Sequence, residues 1–103
     1  MNAIEQVFDK IESRFNPSAA IDFNHNFQFE IDDQIYHLVI NNGQCKTAKG
    51  AHPDPSITLF MDLDTFNELI SGELNGMQAF MSGKLRAEGD IMLASKLSKL
   101  FKR

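Results

Sequence analysis

Two periodicities divide the chain. Ile4, Val7, Phe8, Ile11 and Phe15 recur at helical spacing, Asn2 and Glu5 supply an opening cap, and Asn16-Pro17 ends the run. From Ile21 the spacing changes to two: Ile21, Phe23, Phe27, Phe29 and Ile31 point one way, and Asp22, Asn24, Asn26, Gln28 and Glu30 the other. His25 is the one interruption of that apolar face. Asp32-Asp33 and Asn42-Gly43 are turn signals, the second a strong one for a tight hairpin. With two residues in each loop, Ile31 pairs with Gln34 and Asn41 with Gln44. Phe29 then falls opposite Tyr36, Phe27 opposite Leu38, His25 opposite Ile40, and Ile40 opposite Cys45. The apolar residues of three strands thus share one face. The other face receives Asn26, Gln28, Glu30, His37 and Lys46, and is expected to meet water.

The second half continues the alternation. Residues 50–55, with two prolines, form a loop, and Ile57, Leu59 and Met61 make the inner face of a fourth strand. Asp62 caps a helix with its apolar side at Leu63, Phe66, Leu69 and Ile70, closing near Gly72. Asn75 and Gln78 open a short helix that Gly83 stops, and Leu85 and Ala87 alternate with Lys84, Arg86 and Glu88 as a fifth strand. Gly89-Asp90 then supplies a turn and a cap for a closing helix carrying Leu93, Leu97 and Leu100. The pattern predicts one α+β domain over residues 1–103. It has two layers, a five-stranded, mainly antiparallel sheet and helices packed on one face.

The last third also carries a resemblance. Phe80-Met81-Ser82-Gly83-Lys84-Leu85, Gly89-Asp90-Ile91-Met92-Leu93-Ala94 and Lys96-Leu97 resemble the C-terminal signature of the sterol carrier protein type 2, or non-specific lipid-transfer, family. The likeness extends upstream through Asp54 to Gly72 and in order over nearly the whole chain. It implies the same architecture, and adds an apolar cavity enclosed between sheet and helices. It also implies a lining: Phe80, Met81, Leu85, Met92, Leu93 and Leu97 come from the resembling motif, and Phe27, Phe29, Ile57, Leu59, Phe66 and Ile70 from strand and helix facing. The chain ends Phe101-Lys102-Arg103 rather than in the Ser-Lys-Leu type tripeptide of eukaryotic members. No peroxisomal address is expected, and a stand-alone, bacterial-type protein is.

Composition narrows the classes. Hydrophobic residues make up 43% and charged residues 23%, as in ordinary globular domains. A net charge of −4 and a pI near 5.2 argue against a nucleic-acid partner. No apolar run approaches the ~20 residues of a membrane span. The lone Cys45 excludes an internal disulfide framework, with the cytoplasm as the expected compartment. Residues 84–103 carry a net +4 against −8 for the remainder. Cations near a helix C-terminus complement its dipole; the sharper reading is transient membrane-surface contact through a basic C-terminal helix.

Little reactive chemistry is on offer. His25, His37 and His52 lack ligand spacing, and the strand register sends His25 and His37 to opposite faces, so no metal is expected. His25 reads as a core or rim histidine, or a polar anchor at a cavity mouth. Cys45 reads as a small buried hydrophobe. Asp32-Asp33 and the Asp62, Asp64 pair have turn and cap duties. With no nucleophile motif, phosphate-cradling loop or cofactor fingerprint, no enzyme activity and no cofactor are expected. Nine Phe and five Met without a Trp suit adaptable apolar contact. These observations point to a carrier of a lipid or other long-chain apolar ligand (fatty acid, acyl-CoA, phospholipid or sterol-like), monomer or homodimer. The alternative is an interaction or dimerisation module accessory to a partner enzyme. An isomerase would need an acid and a base on the inner face, where only His25 and Tyr36 stand.

Overall fold

The computed structural model describes residues 3–71, 73–96 and 100. Helix α1 (Ala3–Arg14) leads through a 3-10 turn (Pro17–Ala20) into three strands, β1 (His25–Ile31), β2 (Gln34–Asn41) and β3 (Gln44–Lys49). After a loop come β4 (Ile57–Met61), α2 (Leu63–Ser71), α3 (Gly76–Met81), β5 (Arg86–Gly89) and a 3-10 helix (Ile91–Lys96). The five strands lie in the order β3-β2-β1-β4-β5, antiparallel except where β1 runs parallel to β4.

The two hairpins have the register that two-residue loops dictate. His25 faces Ile40, Phe27 faces Leu38, Phe29 faces Tyr36, and Ile40 faces Cys45. Both loops put positive φ at both central positions, Asp32 (48°) with Asp33 (68°) and Asn42 (53°) with Gly43 (73°). That primed geometry matches the twist of the flanking strands. On the fourth strand Ile57 and Leu59 fall beside Phe27 and Phe29, so the apolar rows of four strands coincide. Ile4, Phe8 and Ile11 of α1 and Phe66, Leu69 and Ile70 of α2 pack onto that face, forming one buried cluster with Ala79, Leu93 and Leu100.

Side chains at the helix starts accept amide hydrogens that the helices themselves leave unpaired. At α2, Thr65 N donates to Asp62 Oδ1 (2.8 Å) and Leu63 N to Asp32 Oδ2 (3.2 Å). At α3, Gln78 N donates to Asn75 Oδ1 (2.7 Å), and at the last 3-10 helix Met92 N donates to Asp90 Oδ1 (3.2 Å).

Two expectations change. The outer sheet face is not simply wet, because the 50–56 loop lies against it. Gln28 Oε1 accepts from His52 N (2.9 Å), His37 Nδ1 meets Gly50 O (2.8 Å), and Ser56 N donates to Asn26 O (3.1 Å). The stretch expected as a closing helix begins as a 3-10 helix over Ile91–Lys96 and is α-helical at Leu100. Asn2, Gly72 and Leu97 lie outside the described residues, while Leu100 is buried and its carbonyl accepts from Asn16 N (2.7 Å).

Candidate ligand site between sheet and helices

The space between sheet and helices is dominated by a chain of rings. Phe23 stacks on Phe27, Phe27 on Phe29, and Phe29 meets Phe66 at 5.2 Å between centroids. Phe8 closes the chain, 5.0 Å from Phe66 and stacked on Tyr36 at 4.7 Å. β1 supplies two of these rings, Phe27 and Phe29, because its pattern of two places residues 27, 29 and 31 inward. α1 and α2 each supply one from the helical row facing the sheet.

Of the residues expected to line a cavity, Phe27, Phe29, Ile57, Leu59, Phe66, Ile70, Leu85 and Leu93 are buried in this layer. Phe80, Met81 and Met92 are on the surface, with Met81 82% and Met92 64% exposed. Leu97 lies outside the described residues. Phe8, Phe23 and Tyr36 join the ring chain although the lining expected from sequence omitted them. Their signal was present, since each falls on an apolar row.

Polar groups are scarce inside. Among the described residues Thr65 is the one buried polar side chain besides the Tyr36 phenol, which donates to Gln34 Oε1 at 3.4 Å. His25 is half-buried at one end of β1, its ring edge-on to Phe23 at 4.7 Å. Tyr36 lies opposite Phe29, four residues along the ladder from His25, a separation of ~13 Å at strand rise. The pair cannot act as acid and base on one reacting atom. Burial, helped by the nearby Glu12 carboxylate, pushes the Cys45 thiol up to about 12, so it stays protonated and unreactive at neutral pH. No cluster of three or more metal-ligating side chains occurs among the described residues. What the layer offers is apolar burial and ring contact.

The layer approaches the surface between α1 and the edge strand β3, in an open cleft of about 200 Å³ floored by Phe8 and Tyr36. Lys49 Nζ spans its rim to Glu5 at 3.6 Å. Deeper along α1, Glu12 Oε2 accepts from both Thr47 N (3.3 Å) and Thr47 Oγ1 (2.8 Å), occupying an edge amide that would otherwise face solvent. No helix among the described residues is long and apolar enough to cross a membrane.

Known proteins share this arrangement. A fatty acid-binding protein of Yarrowia lipolytica is 30% identical over 103 residues, an alignment covering 99% of this chain and 80% of that protein. The hydroxysteroid dehydrogenase-like protein 2 of Mus musculus is 31% identical over 102 residues, 95% of this chain but 21% of that protein. The chain thus spans about a fifth of the length of that relative. The solution structure of palmitated SCP2L2 from Aedes aegypti superimposes with a TM-score of 0.68 at 26% identity, covering 96% of this chain and 93% of that one. The profile of the SCP-2 sterol transfer family matches residues 4–102, and the chain belongs to that family.

Proposed function

We propose that this domain binds and carries a long-chain apolar ligand, of the fatty-acyl or sterol-like class, without covalent chemistry. The observation that carries the reading is the buried layer itself: rings and aliphatic side chains from sheet and helices, with Thr65 the one buried polar residue beyond Tyr36 among the described residues. The ligand lies between Phe27, Phe29, Ile57 and Leu59 on the sheet and Phe66 and Ile70 on α2, with Leu85 and Leu93 beside it. Each methylene taken from water contributes ~0.8 kcal/mol, so a dozen outweigh any single head-group hydrogen bond. Such a site discriminates weakly among chains of similar length. The fatty acid-binding relative and the palmitated mosquito protein support the ligand class.

Native mass spectrometry of gently purified protein tests the reading. Co-purified lipid, or stoichiometric uptake of palmitate, is the expected result. A bare protein that neither carries nor takes up any long-chain ligand would sink it. The second reading, an accessory module of a larger enzyme, is favoured by the match to one fifth of the mouse protein. In the same spectra it appears as a ligand-free dimer.

A further inference from the structure

The loop over the outer sheet face is fastened in two ways. Its ends are held by groups that do not titrate: Gly50 N donates to Ile35 O (2.8 Å), Ser56 N to Asn26 O (3.1 Å), and Asn26 N to Ser56 Oγ (3.2 Å). Two imidazoles do the rest. His37 Nδ1 meets Gly50 O at 2.8 Å, and His52 Nδ1 accepts the Asp54 amide at 2.9 Å. The two rings lie edge-on, 5.3 Å between centroids.

The imidazoles differ in what they demand of a proton. A carbonyl oxygen only accepts, so His37 Nδ1 carries a hydrogen, and a second proton on Nε2 leaves that bond intact. An amide N–H only donates, so His52 Nδ1 must be bare, and the ring is neutral with its hydrogen on Nε2. A proton on His52 Nδ1 would set N–H against N–H.

We infer that His52 is a proton-operated clip. Residues 51–55 are closed on the sheet while His52 is neutral, and open between fixed ends at Gly50 and Ser56 when its ring is protonated. His37 acts with it, since a cation there opposes a second one on the neighbouring ring. The open loop takes a proton that the closed loop excludes, so opening grows as pH falls through the range where imidazole changes charge, about pH 8 to 5. Few other charges face the pair. In the row crossing the sheet beneath the loop, Ala48, His37, Gln28 and Thr58 are followed by Glu88 on the far edge. Lys46 on β3 and Glu30 on β1 stand in nearby rows, and Asp54 is the other titratable side chain of the loop. The helices pack on the opposite face. The clip is therefore independent of what the inner layer binds.

Amide exchange followed by nuclear magnetic resonance tests this on the unsubstituted chain. Protection of the Asp54 amide, corrected for the intrinsic pH dependence of exchange, should fall at least ~3-fold between about pH 7.5 and about pH 5.5. The Gly50 and Ser56 amides should keep theirs. His52→Asn places a carboxamide oxygen where Nδ1 stands, which can accept the amide two residues on but cannot titrate. That variant should stay closed at both pH values. His37→Asn can still donate to Gly50 O, and should keep the transition but shift it to higher pH, because the opposing cation is gone. Equal Asp54 protection at the two pH values would overturn the inference. So would a His52→Asn protein that opens in acid as the unsubstituted chain does, or a His37→Asn protein that no longer opens. Loss of Gly50 and Ser56 protection along with that of Asp54 would also overturn it, since the whole segment would then be melting rather than unclipping.

Discussion

A Cβ atom on Gly89 would fall 2.6 Å from the carbonyl oxygen of Ser56 and 3.1 Å from the Ile57 Cα. Gly89 pairs with Ile57 at the end of β5, and the next amide, Asp90 N, donates to that same Ser56 oxygen at 3.1 Å. Its φ of +104° is one that L side chains rarely adopt. Both obstacles are backbone and cannot rotate away. Gly89→Ala should therefore cost about 2–4 kcal/mol, measured by urea unfolding. Gly43, with nothing within 4 Å of its would-be Cβ, should accept Asn for less than about 1 kcal/mol. Equal costs at the two sites would mean that the β4–β5 junction is looser than described.

The first hairpin turn yields a pair of substitutions with opposite signs. Asp32 and Asp33 both hold left-handed backbone, which glycine adopts at little cost. Asp33 is exposed, so Asp33→Gly should stabilise by about 0.5–1 kcal/mol. Asp32 accepts the Leu63 amide at the start of α2, and Asp32→Gly should lose more than it relieves, for a net cost of about 0.5–1 kcal/mol. Thermal melts of the two variants against the unsubstituted chain decide it, and a shift in the same direction for both would refute the capping role.

The hairpin register was legible because it is local. Two-residue loops fix the pairing, and one slipped residue would bury Asn26, Gln28 and Glu30 in place of three apolar side chains. The parallel contact of β1 with β4 was not legible, since it joins segments separated by two hairpins and a loop, and no short-range signal chooses a strand's far neighbour. The orientation of α3 was misleading for a definite reason. Helical spacing identifies rows of residues but not which row faces in, and large apolar residues are expected inward. Gly76 and Ala79 instead let the helix approach closely, leaving Phe80 and Met81 outside. The loop over the outer sheet face is held by backbone groups and by the polar side chains of Gln28 and His37, which leave no hydrophobic period to read.

That loop changes what substitution at Gln28 should do. On an open polar face Gln28→Lys would be nearly neutral. With Oε1 accepting the His52 amide at 2.9 Å, Gln28→Lys should cost about 1–2 kcal/mol. Gln28→Glu keeps an acceptor and should cost less. Urea midpoints measure both, and a change below about 0.5 kcal/mol for the lysine variant would mean the loop does not rest on the sheet.

Acid stability should depend on Asp62. Hydrogen bonds from the Thr65 amide and then the Thr65 hydroxyl hold its carboxyl below the ordinary 3.8. A depressed folded value means the contribution is fully present above the unfolded value and is lost as pH falls through the folded one. Melting temperature followed from about pH 6 down to about pH 2 should therefore fall less steeply for Asp62→Asn, which can still cap but cannot titrate. Parallel curves would assign the acid sensitivity elsewhere.

The sharpest test of a ligand layer is to fill it. Ile70 is 2% exposed and belongs, from α2, to the buried cluster that holds the sheet-side rings. A helix can move outward to accept a larger side chain, as central Leu59 on β4 cannot, so Ile70→Trp is the less disruptive choice. Overpacking costs ~1–3 kcal/mol against a total stability of ~5–15 kcal/mol, which leaves the domain folded. If the ligand occupies the space between α2 and the sheet, the indole takes that volume. Affinity for a fluorescent fatty-acid analogue should then drop at least ~10-fold, a loss of ~1.4 kcal/mol. Palmitate should also stabilise the unsubstituted chain by mass action, by ~2.7 kcal/mol at one hundred times its dissociation constant, and should stabilise the tryptophan variant far less. A folded Ile70→Trp protein with undiminished affinity would place the ligand elsewhere, and the cleft between α1 and β3 would be the next position to block.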